Sequence, residues 1–334
     1  MDFCGVEIRK YNKGVSPTLF IITYHNSLND EGDDFMEIKK FKEISIPQKK
    51  ELYNFIKNIN STYNKTYIEM TKIYESDTFN EGDSVFILLD NYEVKGSLAI
   101  ITKEISIKGE AFITDIYMAN ENLERNLCIL IEEATNYCSN CCAGSVKVGI
   151  RESETHLIPY INKFEFIHIY DAVVMRYKGD NDIVLKLDKK IELVDLSTSN
   201  SRQYMNIQNE AFINSPNGGT IGQVEVMDYI VKYANNQDLI GLCYFEKKPC
   251  GMYELSLDGD IGWIDTLAVS PESQKKGIGK LLLMKCIERL WEKHIEEIKL
   301  LVITSNVVAV KMYKENGFEE EIVFSYWFEK TLNF

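Results

Sequence analysis

Residues 270–282 read SPESQKKGIGKLL. Gly277 and Gly279 stand one residue apart, Lys275, Lys276 and Lys280 flank them, and a run of leucines follows. A glycine-rich turn that opens a helix is an anion site by its backbone alone. The first helical N–H groups have no intrahelical partner, and the helix dipole favours negative charge there. Glycine lets the backbone approach a ligand closely and take positive φ, and the lysines add charge. The combination predicts a phosphate or pyrophosphate ligand. It is not a P-loop, because no G-x-x-x-x-G-K-[ST] is present. It is not a dinucleotide fingerprint either: the third glycine is missing, and the strand before it belongs to a meander.

The elements that must position this loop follow from the pattern around it. DLIGLCYFEK, CGMYELSL and GWIDTLAVS are short and β-rich, broken by KKP and DGD, which is antiparallel hairpin chemistry. After the loop, Ile278, Leu281, Leu282, Cys286 and Leu290 form the apolar stripe of a long helix. IKLLVIT is a buried strand, NVVAVKMYKENGF a short helix closed at Gly317, and IVFSYWFEKTL a final strand. Upstream, IELVDLS is a strand, followed by helices at about Ser199–Phe212 and in VEVMDYIVKYAN.

This half of the chain resembles the GCN5-related N-acetyltransferase superfamily. The family's signature [QR]-x-x-G-x-[GA], after an apolar Ala-Val-x-Pro-Glu run, is matched by LAVSPESQKKGIGKLL with Gln274, Gly277 and Gly279 in place. Its later motif is an Asn after a strand, then A-x-x-x-Y-x-x-x-G-F. Asn306, Ala309, Tyr313, Gly317 and Phe318 match it. The resemblance implies an α/β (α+β) acyl-CoA N-acyltransferase fold, a mixed, mostly antiparallel twisted sheet flanked by helices. It implies acetyl-CoA as donor and no metal. Gln274, Lys275, Lys276, Gly277, Ile278, Gly279 and Lys280 would then surround the CoA pyrophosphate. The main chain of Leu267, Ala268 and Val269 would pair with pantetheine, and Asn306, on a helix start that carries Ala309, would contact the same arm.

Direct acyl transfer to an amine requires deprotonation of the amine, stabilisation of a tetrahedral oxyanion, and protonation of the departing thiolate. The resemblance makes Tyr313 the acid for the sulfur and the Leu267 N–H an oxyanion donor. Asp265 lies two residues before Leu267, and simple alternation puts it on the face of Leu267 and Val269, where it could act as base. Glu254 is a second carboxylate candidate. The expected activity is acetyl transfer to a primary amine of a small molecule or peptide; an antibiotic, a polyamine, a peptide N-terminus and a small metabolite all stay open. A non-catalytic CoA-binding module and the use of a longer acyl-CoA are the alternative readings.

The first half repeats this order of elements. INKFEF at 161–166 matches YKENGF at 313–318, and ITDIYMA matches IDTLAVS, so the chain reads as a tandem of two domains. The expected domains are 1–180, with an N-terminal extension, and 188–334, joined near KGDNDIVLKLDKK at 178–190. The first domain departs from the pattern. Its loop reads NENLERNLCIL without glycine, Glu124 stands near the signature glutamine, Ile161 replaces Tyr313 and Glu154 replaces Asn306. It is expected to be catalytically degenerate. CSNCC (Cys138, Cys141, Cys142) has no second ligand pair for zinc. Tyr326 and Trp327 read as sheet packing. The net charge of −14 opposes nucleic-acid binding. No segment approaches the roughly 18 apolar residues of a membrane span. With no basic, apolar leader at the start, a cytoplasmic protein with reduced thiols is expected.

Overall fold

The structure is a computed structural model and describes residues 36–179, 191–216 and 218–332. The N-terminal extension, most of the 178–190 segment and Asn217 lie outside the described residues. The chain forms two compact units.

Of the described residues, the first unit comprises 36–168 together with 328–332. Its strands are β1 (Met36–Lys40), β2 (Val85–Asp90), β3 (Glu93–Ile101), β4 (Glu110–Met118) and β5 (Ser145–Arg151). Strand order follows chain order, antiparallel from β1 to β4, with β4 parallel to β5. The run Val-Phe-Ile-Leu-Leu of β2 is buried along its length, so it reads as continuously apolar rather than alternating. Among the described residues, α1 (Ile46–Ile59), α2 (Tyr67–Tyr74), α3 (Ile105–Lys108), α4 (Leu123–Asn140) and α5 (Ile158–Lys163) accompany the sheet. Helix α4 buries Leu127, Leu130, Ile131, Ala134 and Cys138, one stripe at helical spacing. Residues 328–332 complete this unit. Glu329 accepts a hydrogen bond from the Ser145 hydroxyl at 3.0 Å and stands 4.0 Å from the buried Lys147 ammonium, which Glu110 holds at 2.7 Å.

The second unit spans residues 169–327. It takes in most of β6 (Ile167–Tyr177) and continues through β7 (Ile191–Asp195), α6 (Ser201–Phe212), α7 (Gln223–Lys232), β8 (Ile240–Phe245) and β9 (Lys248–Asp258). Then follow β10 (Ile261–Val269), α8 (Ile278–Glu292), β11 (Glu297–Ile303), α9 (Val307–Glu315) and β12 (Phe318–Thr331), whose last residues belong to the first unit. Strand order is β6-β11-β10-β9-β8-β7, antiparallel except for β10 with β11. The core gathers Ile278, Leu282, Cys286 and Leu290 of α8 with Leu242, Leu255 and Ile298 of the sheet.

The compact units do not follow a boundary at 180–188. Strand β6 precedes that boundary yet pairs with β11 from Ala172↔Ile303 to Arg176↔Lys299, and Val173 and Met175 sit in the second core. A sheet edge needs its ladder partner, and β6 provides it.

Candidate active site

The loop after β10 has the geometry its residues predict. Gly277 caps α8 with φ 79°, and Lys275 also takes positive φ. The first intrahelical bond runs from the Leu281 N–H to the Gly277 carbonyl at 3.2 Å. The N–H groups of Ile278, Gly279 and Lys280 are thereby left without intrahelical acceptors. A side chain at Gly277 would meet nothing within 4 Å, so this glycine is set by φ and by access to its backbone. A Cβ on Gly279 would stand 3.3 Å from the Met312 sulfur, so the second glycine lets α9 lie close. Lys275, Lys276 and Lys280 are exposed. Gln274 donates its side-chain amide to the Val269 carbonyl at 3.1 Å, tying the loop back to the end of β10.

Beside this loop the sheet opens. β10 pairs with β11 only from Ile261↔Glu297 to Ile264↔Leu300, while it stays paired with β9 as far as Val269↔Gly251. Past Ile264, the backbone of Leu267, Ala268 and Val269 has a ladder partner on one side only among the described residues. An extended amide-bearing ligand could add there as a strand does. Across the opening, Asn306 caps α9: its side-chain oxygen accepts from the Ala309 N–H at 3.2 Å, leaving its amide hydrogens for another acceptor.

A β-bulge on β10 corrects the expected position of Asp265. The register jumps from Ile264↔Leu255 to Thr266↔Glu254, leaving Asp265 as the extra residue. Extra residues at bulges are re-aimed. Asp265 therefore interacts with the Ser256 hydroxyl and the Glu254 charge instead of sharing the face of Leu267 and Val269. Loss of water pushes its carboxyl above the ordinary carboxylate value and Glu254 adds to this, while Ser256 and Lys232 oppose it.

Glu254 accepts a hydrogen bond from the Tyr233 hydroxyl at 2.8 Å and pairs with Lys232 at 3.3 Å. The Lys232 ammonium lies 4.6 Å from the Tyr233 ring centroid. Tyr204 packs edge-on to Tyr229 at 6.5 Å, and its buried hydroxyl has no hydrogen-bond partner among the described residues. Glu254 and Asp265 thus face a wall of tyrosines from α6, α7 and the C-cap of α7, Tyr233. The sequence pattern does not distinguish Tyr204, Tyr229 or Tyr233 from residues that pack a helix. The one signal was the density of tyrosines on two helices that precede the meander.

Tyr313 is buried on α9, its ring 5.9 Å from that of Phe318. Burial, with a smaller contribution from Cys286, pushes its phenol up to about 12. It therefore keeps its proton at neutral pH and can donate a hydrogen bond. Full transfer to a thiolate, whose ordinary pKa is roughly 8.5, is uphill until the ligand changes these surroundings.

The first unit opens in the same way but lacks the loop. The β4–β5 pairing stops at Ile113↔Val148, and a bulge interrupts β4 around Asp115. Asn122, not glycine, caps α4 with φ 51°, and Glu124 in the first turn is paired with Lys163 at 2.5 Å. Ile161 is fully buried at the position matching Tyr313. Burial pushes the Cys138 thiol up to about 12, the mark of a packing cysteine. Among the described residues no three His, Cys, Asp or Glu side chains are gathered for a metal ion, and no helix is long and apolar enough to cross a membrane.

Residues 203–318 match the family model of the acetyltransferase (GNAT) family. Over 141 residues, 40% of this chain and 88% of the relative, the sequence is 28% identical to spermidine N(1)-acetyltransferase of Thermoplasma acidophilum. The fold is similar to that of a GCN5-related N-acetyltransferase from Sphaerobacter thermophilus, with TM-score 0.64 and 13% identity over 89% of this chain and 95% of that one. It is also similar to a tandem GNAT protein from the clavulanic acid biosynthesis pathway, with TM-score 0.57 and 9% identity over 89% and 98%. The loop, the opened sheet and these matches define an acyltransferase of mixed α/β fold. Residues 203–318 are thus similar to the GNAT acetyltransferases, and the chain as a whole is similar in fold to a tandem GNAT protein.

Proposed function

We propose that the second unit moves an acetyl group from acetyl-CoA directly to a primary amine. The observation that carries this reading is the exposed helix start at Gly277–Lys280 beside the half of β10 that β11 leaves unpaired. Backbone N–H groups and lysines would hold the pyrophosphate, and β10 and Asn306 the pantetheine arm. Asp265 or Glu254, directly or through water, takes a proton from the ammonium. The free amine then attacks the thioester carbonyl, the tetrahedral oxyanion collapses, and the C–S bond breaks. Tyr313 donates to the departing sulfur, and the amine's second proton leaves to solvent. A carboxylate pair inside a tyrosine wall suits a cationic acceptor, and the likeness to a spermidine acetyltransferase supports a polyamine among the candidates. The first unit is proposed to be inactive in this transfer, and the protein to work in the cytoplasm.

Calorimetric titration of the full chain with acetyl-CoA tests the reading. One site per chain is expected. Gly277→Glu, which places a carboxylate where the phosphates would sit, should weaken binding at least tenfold while circular dichroism stays native. Unchanged binding in that variant would sink the assignment, and two sites would show that the first unit binds the donor as well. A preference for a longer acyl-CoA would move the donor assignment but not the site.

A further inference from the structure

The first unit retains an enclosed opening where β4 and β5 part. A cavity of about 40 Å³ lies there, lined by Asn60, Asp115, Tyr117, Arg151, Ser153 and Glu154 among others. A single water needs roughly 10–15 Å³ on this measure, so the space admits a few waters or one small head group. Asp115 stands at the bulge of β4 with φ 52°, a left-handed conformation that Asp and Asn tolerate better than other side chains. Tyr74 donates its hydroxyl to the Asp115 carboxylate at 3.4 Å. Tyr63 packs edge-on to Tyr117 at 6.2 Å, and Tyr53 in turn packs against Tyr63. Asp115 is thus bordered by tyrosines, and the exposed Arg151 and Lys65 place positive charge near its carboxylate. The lining holds two carboxylates, Asp115 and Glu154, and one guanidinium, Arg151, and a carboxylate bordered by phenol rings is a setting that favours a cation.

We propose that this cavity binds the ammonium end of a primary alkylamine, held by Asp115 within the tyrosine wall. The internal repeat sharpens the argument. Asp115 lies 150 residues before Asp265 (265 − 115), one position off the match of ITDIYMA with IDTLAVS, and each stands at a bulge on the strand whose parallel partner has just departed. The donor side has not been kept, since Asn122 and Glu124 occupy the helix start. An amine bound here has no acyl donor beside it in its own unit, so it is held and not acylated there. The proposal rests on the geometry of the first unit and does not require that Asp265 be the base.

The test uses the full chain labelled at isoleucine methyl groups, because Ile116 and Ile150 line the cavity. Ethylammonium is the probe, ethanol its neutral counterpart and acetate its anionic one. Saturable shifts of the Ile116 and Ile150 signals are expected with ethylammonium only. Asp115→Asn, which suits the same backbone, should weaken them at least tenfold, and Glu254→Gln in the second unit should leave them unchanged. Shifts with acetate instead, no shifts at all, or shifts that survive Asp115→Asn would overturn the proposal. Should Asp115→Asn disturb the methyl spectrum of the free protein, Arg151→Ala decides. Amine binding should persist or tighten, and its loss would refute a site built around Asp115.

Discussion

Asp265 has a carboxyl that the fold makes costly to ionise. Desolvation first, then the Glu254 charge, holds it above its ordinary value of 3.8. The folded state therefore prefers the protonated form. That preference adds stability below the unfolded value and is lost as pH rises through the folded one. Asp265→Asn is accordingly expected to raise Tm at neutral pH, with the gain disappearing below about pH 3.8, as thermal melts across pH would show. Activity should run the other way. A general base contributes roughly 10²–10⁴-fold, so the variant should lose at least 10² in kcat/KM, together with the acid limb of the pH profile. A variant that keeps that limb would move the base to Glu254. Sequence pattern reached Asp265 and Glu254 as carboxylates but not their common surroundings. A bulge leaves no mark in apolar alternation, and Tyr204 and Tyr233 occupy positions that a helix uses equally for packing.

At the scale of elements, the helix start at Gly277 and the cap at Asn306 were legible, because each is specified within a few residues. Helix α2 was missed: YIEMTKIY is rich in aromatic and β-branched residues, which are weak helix formers. Its signal was the capping box, in which Thr66 accepts from the Glu69 N–H at 3.3 Å and Glu69 accepts from the Thr66 N–H at 2.7 Å. The parting of β10 from β11 was illegible, since it arises from where pairing ends and not from residue type. Asn306 has two duties that substitution can separate. Asn306→Ala removes the cap and should cost about 0.5–2 kcal/mol. Asn306→Asp retains a capping oxygen and adds a charge that the helix N-terminus favours. If the Asn306 amide also contacts pantetheine, the Asp variant should melt near wild type yet bind acetyl-CoA more weakly, and equal binding would limit Asn306 to capping.

For the whole molecule, the tandem layout was legible from the repeated order of elements, but the membership of the strands was not. Local pattern identifies a strand and does not name its partner. A fragment 188–334 would present β11 with the edge at Lys299–Ile303 unpaired and would lack Val173 and Met175 from its core. It is expected to aggregate, whereas a fragment 169–327 should melt cooperatively. Equal behaviour of the two on chromatography and calorimetry would contradict the assignment of β6. The place of residues 328–332 also bears on synthesis. Domains ordinarily fold in order as the chain emerges from the ribosome. Here the first unit cannot bring Glu329 to Ser145 and Lys147 until the second unit has been translated. The half made first is thus the half completed last, and a nascent chain stalled before residue 328 holds a first unit that is unfinished however long it waits.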